Sequence, residues 1–365
     1  VEYDAIVRPQ VAQLSPYTPG TTVAQARAKY GHDTFVKLSS NENPLGTSPL
    51  ARAALDALGD LQIYVDDDHT ELRSLLAAPY GLRAQHVMVG HGSNDVVRTL
   101  FTTLIAPGDE VVIAQPTFSL FAKDALLFGG VPVPVPLRDG VHDLDAMLAA
   151  VTPKTKLVVV VDPNNPTSTR VEAAAFDRFV RALPEHVVLM IDQAYREYMP
   201  PGSVEGASYV AQRPGTLALR TMSKIYGFAS LRFGYVLGDA ALLAFAERVR
   251  VPFGVSRPAA VAARAALDDR AFLERSVANN DAGKMLLSAA FARLGLHAYP
   301  TAANFVAVTV PTRAGDPYEE MLRRGVVTRS GTALGMPGRL RITIGTPEEN
   351  AVLIAALESL VAAAA

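Results

Sequence analysis

The chain has 365 residues, 49% of them hydrophobic, a formal charge of −2 at pH 7 and no cysteine. Interspersed acids and bases near neutrality remove the electrostatic case for nucleic-acid binding, and missing thiols exclude disulfides and cysteine-held zinc or iron–sulfur centres. The length suits one large domain with an ample core and a smaller companion.

The seven histidines are scattered with no H-x-x-x-H pair, so no metal site is expected. No run of about 18 apolar residues suggests a transmembrane helix. The opening Val1-Glu-Tyr-Asp lacks the apolar stretch of a secretory signal, and a cysteine-free chain fits a reducing cytoplasm, the expected location.

Residues 1–35, with prolines at 9, 16 and 19, read as a loop-rich segment that crosses the smaller domain or reaches a neighbouring subunit. From about residue 85 to 240, short apolar runs alternate with helical patterns, the signature of a parallel sheet covered on both faces. Strands are predicted at His86–Gly90, Glu110–Ala114, Lys156–Asp162, His186–Asp192, Thr216–Arg220 and Phe233–Leu237. Helical patterns over Ser119–Phe128 and Val171–Leu183 lie between them. Leu157–Val161 is a continuous apolar run, as expected for a strand buried on both sides.

Beyond residue 255 the pattern changes to long Ala/Leu/Arg helices (Ala259–Leu267, Phe272–Leu294), then short strands at Asn304–Val308 and Arg339–Ile344. Thr346-Pro-Glu-Glu predicts a helix start, with Thr346 as N-cap, Pro347 first and Glu349 closing a capping box. The expected division is residues 1–35 as an N-terminal segment, 36–250 as the large domain and 251–365 as a small α+β domain.

Chemistry concentrates at the predicted strand ends, where open parallel sheets bind ligands. Arg220-Thr-Met-Ser-Lys-Ile-Tyr-Gly-Phe-Ala-Ser-Leu-Arg232 sets Lys224 beside hydroxyls, with an arginine eight residues on. An amine so placed suits a Schiff base with a carbonyl cofactor whose phosphate the hydroxyls and guanidinium hold; a surface lysine is the plainer alternative. Gly90-His-Gly-Ser-Asn94 is either a phosphate cradle at a helix N-terminus or a tight turn. Asp162-Pro-Asn-Asn-Pro-Thr-Ser168 is a rigid turn, with or without a ligand. Asp192, at a buried strand end, needs a partner. A pyridinium nitrogen about 4 Å away would attract it by roughly 4 kcal/mol at an effective dielectric of 20, and Tyr195 would reach the ring's oxygen; a capping Asp beside a packed Tyr is the alternative. In Arg339-Leu-Arg-Ile-Thr-Ile-Gly345, period two puts Leu340, Ile342 and Ile344 on one face and Arg341 on the other, where a guanidinium suits a substrate carboxylate or is simply exposed on an edge.

Taken in order, Leu38-Ser-Ser-Asn-Glu-Asn-Pro-Leu-Gly46, Pro116-Thr-Phe118, Pro163-Asn-Asn-Pro-Thr167, Asp192-x-Ala-Tyr195, Ser223-Lys-x-Tyr-Gly227 and Arg341-Ile-Thr-Ile-Gly345 resemble the pyridoxal-phosphate (PLP) aminotransferases of fold type I. The nearest subgroup is that of histidinol-phosphate aminotransferase, which serves histidine biosynthesis. Pro16-Tyr-Thr-Pro-Gly20 matches the same subgroup.

The resemblance implies an α/β architecture: a mostly parallel seven-stranded sheet in a large PLP-binding domain, with a smaller α+β domain. It implies that Lys224 binds the cofactor and then shuttles the α-proton, that Asp192 pairs with the ring nitrogen, and that Asn165 and Tyr195 bond the ring oxygen. Phe118 would stack on the ring. Gly92, Ser93 and Asn94, with Thr221, Ser223 and Arg232, would hold the phosphate. Tyr64 would reach the neighbouring subunit's phosphate, which implies a homodimer with shared sites. Tyr17, Asn43, Arg329 and Arg341 would bind the substrate, histidinol phosphate or an aromatic or related amino acid, with 2-oxoglutarate as acceptor. A PLP-dependent decarboxylase or lyase acting on an anionic amino acid is the alternative. The absence of G-x-G-x-x-G argues against a nicotinamide enzyme.

Departures from the pattern are Gln193 for a Glu, Ser168 for a Gly, Val65 for a Pro, and Gly254 and Arg257 for an Asn and a small residue. The altered charges at Gln193 and Arg257 point to a substrate other than histidinol phosphate.

Overall fold

The structure is a computed structural model that describes residues 3, 6–16, 20–312 and 316–364. A two-residue strand, β1 (Val36–Lys37), comes first. The main sheet follows from β2 (Val87–His91), β3 (Glu110–Gln115), β4 (Val131–Pro136), β5 (Thr155–Val161), β6 (Val188–Asp192), β7 (Thr216–Thr221) and β8 (Phe233–Gly238). Its order is β2-β8-β7-β6-β5-β3-β4. Only β8 runs antiparallel to its neighbours, so the sheet is the mostly parallel seven-stranded one expected.

β5 explains the layering. Leu157, Val159 and Val161 pack with Phe101 and Phe121 from the helices Ser93–Leu104 and Leu120–Leu127 on one face. Val158 and Val160 pack with Met147, Phe176 and Phe179 from Leu144–Ala149 and Ala173–Ala182 on the other. A strand whose successive side chains meet opposite helical layers must be apolar throughout.

β4 is the strand of the main sheet that the sequence pattern does not predict. Its Val-Pro alternation lowers strand propensity, yet the ladder needs only every second N–H. Val131 donates to Asp109 (2.8 Å) and Leu137 to Gln115 (3.2 Å), while Pro132, Pro134 and Pro136 fall on the alternate positions, facing the open edge. Proline is tolerated there and blunts the edge against further pairing.

The smaller lobe holds β9 (Phe305–Thr309), β10 (Val326–Val327), β11 (Arg329–Ser330) and β12 (Arg339–Thr343). β11, β12 and β9 form an antiparallel sheet, and β1 pairs with β10 in parallel. Leu340, Ile342 and Ile344 enter its core with Leu287, Phe291 and Leu357, as the period-two pattern requires.

Packing moves both expected boundaries. Residues 36–38 belong to the small lobe, because β1 pairs with β10 and Leu38 lies in its core. The helix Arg257–Ala266 belongs to the large lobe: Ala259, Ala262, Ala263 and Ala266 pack with Val87, Val89 and Phe233. An alanine stripe lets that helix lie close. The N-terminal segment contains an unforeseen helix, Val23–Tyr30, capped by Thr22 and Gln25. It docks on the small lobe through Ala26, Leu322 and Val327.

The last helix, Pro347–Ala364, begins as its sequence predicts: Thr346 N–H donates to Glu349 (2.8 Å) and Glu349 N–H to Thr346 Oγ1 (3.3 Å). Thr346→Ala should lower unfolding free energy by about 1 kcal/mol in urea titrations. No change in midpoint would mean that the cap contributes nothing.

Candidate active site

The carboxyl ends of β2, β5, β6 and β7 share one edge of the sheet. Antiparallel β8 starts there, with Thr221 opposite Gly234, so the excursion 222–232 leaves and re-enters at the same place. Lys224 and Arg232 are thereby held above the strand ends. The crossover 39–41 runs between the lobes on the other side. A cavity of about 220 Å³ opens between them.

Twelve predicted residues line this cavity: Ser93, Asn94, Phe118, Asn165, Asp192, Tyr195, Thr221, Ser223, Lys224, Arg232, Arg329 and Arg341. Gly92 abuts it, with φ +77°. A Cβ there would overlap the Arg232 guanidinium, so only glycine lets the arginine lie across the start of the helix Ser93–Leu104. No side chain caps that helix. Its first N–H groups, with Arg232 (Nη1 to Ser223 Oγ, 3.1 Å) and the Thr221 and Ser223 hydroxyls, could hold a phosphate dianion.

At the other end stands Asp192, 6% exposed. Burial pushes its carboxyl up to about 6, against the pull of the Ala194 N–H (3.1 Å) and of Arg220 and Lys224. A buried acid so placed gains from a cationic partner such as a protonated ring nitrogen.

Lys224 is half-buried and donates to Ser40 O at 3.3 Å. Burial, then the charge of Arg341, lowers its amine to about 8, with Arg232 adding to the shift and Glu42 and Asp192 opposing it. Its loop is braced from below. Gly227 (φ +74°) presses on the Gly46 carbonyl so closely that a Cβ would overlap it. Thr47 Oγ1 bonds Gly227 O at 3.1 Å.

The paired asparagines divide their work. Asn164 is wholly buried and tied to Thr117 Oγ1 (2.7 Å), Pro116 O (3.2 Å) and Thr167 Oγ1 (2.9 Å). That holds the turn, and Asn165 faces the cavity, where its Oδ1 accepts from Arg341 Nη1 (2.9 Å). Its amide N–H groups are then turned toward other acceptors. Arg341 also donates to Ser39 O (2.6 Å). Arg329 is the direct cross-strand partner of Arg341. Both line the cavity, so an anion bound there could meet two guanidiniums.

Three expected positions stand elsewhere. Asn43 does not line the cavity: it donates to Ile225 O (2.6 Å) and Ser276 Oγ (2.9 Å) and accepts from Leu45 N–H (3.0 Å), so it buttresses the Lys224 loop. Tyr64 is 79% exposed and stacks on Phe253, outside this chain's own cavity. Tyr17 lies outside the described residues. Conversely, the lining includes Gly20, Ser39, Ser40 and Asn41, which were not singled out. The Ser-Ser-Asn run before Glu42 was the available signal.

The departures that suggested another substrate also lie off the cavity. Gln193 bonds Val204 O and Gly206 N–H (both 2.9 Å), and Arg257 bonds Asp60 O (3.1 Å). Neither charge change touches the lining, so that expectation loses its basis. Ser168 adopts φ +64°, a conformation natural to the glycine it replaces. Among the described residues no acidic, histidine or cysteine cluster could hold a metal, and no helix is long and apolar enough to cross a membrane.

An amine lowered to about 8 sets a pH dependence. Capture of pyridoxal phosphate by the cofactor-free protein needs neutral Nζ, so its rate should rise about ten-fold per unit below pH 8 and level off above it. Arg341→Met, by removing a positive neighbour, should move the break upward. Stopped-flow absorbance measures both, and a rate still climbing at about pH 10 would contradict the lowered amine.

The site's chemistry agrees with the likenesses of the chain. The family model "Aminotransferase class I and II" matches residues 33–357. The histidinol-phosphate aminotransferase of Moorella thermoacetica is 40% identical, over 97% of this chain and 93% of its own. A histidinol-phosphate aminotransferase of Ralstonia nicotianae is 42% identical, over 97% and 96%. The crystal structure of the Sinorhizobium meliloti histidinol-phosphate aminotransferase, in complex with pyridoxal-5'-phosphate, superposes with a TM-score of 0.88 at 27% identity, covering 98% of each chain. The cavity, lined by an amine, a buried acid and the hydroxyls and arginine beside a helix N-terminus, fits that cofactor. The chain belongs to the class I and II aminotransferases, and within them to the PLP-dependent histidinol-phosphate aminotransferase group.

Proposed function

We propose that this transaminase takes the amino group of histidinol phosphate and passes it to 2-oxoglutarate, with the residues of the cavity in the following roles. The observation that carries the substrate is the facing pair Arg329 and Arg341, which line the same cavity as Lys224 and are 9% and 8% exposed. Two guanidinium forks suit a phosphate better than an uncharged side chain. The same pair accepts the carboxylates of 2-oxoglutarate in the second half of the reaction.

When bound, PLP would supply an electron sink for carbanion chemistry. The protein would do the rest. Ser93 and Asn94 N–H groups, Thr221, Ser223 and Arg232 would hold the cofactor phosphate. Asp192 would keep a proton on the ring nitrogen. Asn165 and Tyr195 would donate to the ring oxygen, with Phe118 against the ring. Lys224 Nζ, neutral above about pH 8, removes the α-proton and returns it. Atoms balance without an outside oxidant: one amine and one oxo acid exchange their nitrogen and oxygen.

Removing either guanidinium as Arg329→Met or Arg341→Met should raise KM for histidinol phosphate by about 10- to 150-fold, the cost of a charge-assisted hydrogen bond, and barely alter KM for unphosphorylated histidinol. Glutamate should form in step with donor consumed. Carbon dioxide or ammonia in place of glutamate, or a preference for unphosphorylated aromatic amino acids, would overturn the assignment.

A homodimer with shared sites completes this reading. Tyr64 stacks on Phe253 amid exposed Leu61, Ile63 and Val251, an apolar patch suited to a second copy, whose cofactor phosphate Tyr64 would reach. Lys224→Ala should lose roughly 10³-fold or more in turnover. Co-expressed Lys224→Ala and Tyr64→Ala chains should form mixed dimers that exceed both parents, since one site is then intact. Failure to complement would place Tyr64 outside the partner's site.

A further inference from the structure

Asn41 sits where the chain crosses from the small lobe to the large one, 1% exposed and in the left-handed region at φ +54°. Each polar group of this residue is engaged. Its Nδ2 donates to the Tyr195 hydroxyl at 2.9 Å. Its Oδ1 accepts from Thr343 Oγ1 at 3.3 Å, and its N–H donates to the same oxygen at 2.9 Å. Its carbonyl accepts from Asn304 Nδ2 at 3.1 Å. Thr343 ends β12, two residues beyond Arg341, and Asn304 immediately precedes β9. One side chain thus joins the strand of a substrate-binding arginine to a tyrosine of the cofactor site.

We propose that Asn41 is a positioning residue that sets the direction and strength of the Tyr195 hydroxyl as a donor to the cofactor's ring oxygen, and couples that donor to the strand bearing Arg341. The inference rests on the reading of Tyr195 given above. A phenol that accepts a hydrogen bond from an amide keeps its own proton out of that line, and Tyr195 lines the cavity. Accepting one bond also polarises the hydroxyl and strengthens the bond that it donates, by about a tenth to a third. The Tyr195 ring is fixed independently by the edge of Phe305, with centroids 5.1 Å apart, so Asn41 governs the hydroxyl and not the ring. The left-handed backbone is an investment in this geometry: it costs a non-glycine residue about 1 kcal/mol, and asparagine tolerates it best among residues that carry an amide.

The titratable and charged groups around the site are Lys224, whose Nζ lies 5.6 Å from the Tyr195 ring centroid, with Asp192, Glu42, Tyr198, Arg220, Arg232, Arg329 and Arg341. None is altered by the test. Asn41→Gly accommodates the positive φ angle and removes the side chain, with its bonds to Tyr195 and Thr343, while keeping the backbone N–H. In the holoenzyme, the absorbance of the bound cofactor is titrated with pH in wild type, Asn41→Gly, Tyr195→Phe and the double variant.

A donor to the ring oxygen favours its anionic form and lowers the titration midpoint. Tyr195→Phe should therefore raise the midpoint by about one unit and Asn41→Gly by about half a unit. The double variant should match Tyr195→Phe alone. If Tyr195→Phe shifts the midpoint and Asn41→Gly does not, the inference is wrong while the reading of Tyr195 stands. Additive shifts would also overturn it, because Asn41 would then act by another route. If Tyr195→Phe leaves the midpoint in place, the reading of Tyr195 fails and the inference with it. Asn41→Ser, too short to reach Tyr195 yet able to meet Thr343, replaces the glycine variant should that one not fold, with the same outcomes.

Discussion

Charge confined to one small cavity governs this protein. Lys224, Arg232, Arg329 and Arg341 line it together, and among the described lining residues Asp192 is the one carboxylate. Burial in a partly dry space disfavours every charge, and neighbouring cations add to that cost for the amine while easing it for the acid. Burial and Arg341 bring the Lys224 amine down to about 8, and burial takes Asp192 up to about 6. Both groups are thus carried toward neutrality, where a proton can be moved at small cost. Positive side chains along the lining suit anions, such as a cofactor phosphate and a phosphorylated substrate.

A rigid frame keeps those charges from relaxing away. The strand ends are held by a sheet buried on both faces, and the loops they carry are locked by their own hydrogen bonds. Asn164 ties down its turn, Asn43 and Gly227 brace the lysine loop, and Gly92 admits Arg232 across a helix start. Three residues of these loops, Asn41, Ser168 and Arg232, adopt positive φ. Left-handed backbone at non-glycine positions costs of order 1 kcal/mol each and persists only where the surroundings over-determine it. Antiparallel β8 is part of the same device, since its reversal returns Arg232 to the edge that Lys224 occupies.

Much of this was legible in the chain because periodicity and local chemistry are local properties. The apolar run Leu157–Val161 demands two covering layers. The alternation in Arg339–Ile344 separates the core face from Arg341. Thr346 and Glu349 write their own helix start. β4 escaped because proline argues against a strand unless the strand is known to be an edge, and edges exist only in an assembled sheet. Asn43 and Asn41 share one motif and differ by two positions; only the crossing of the 39–41 segment between lobes decides which of them meets the cavity. Gln193 and Arg257 were misjudged for the same reason: adjacency to Asp192 in sequence put Gln193 on the opposite side of the strand.

The amino-acid sequence by itself determined the fold class, the lysine that lines the cavity, the acid at the end of β6 and the polar turns that surround them, because each is specified by residue type at short spacing. The tertiary structure decided where the lobes divide, that Arg329 faces Arg341, that Asn41 rather than Asn43 touches Tyr195, and that the charge-changing departures stand clear of the cavity. These depend on strand register and on segments more than a hundred residues apart meeting at one edge. Pairings over such distances are fixed by the packing of the whole core, and no local pattern encodes them.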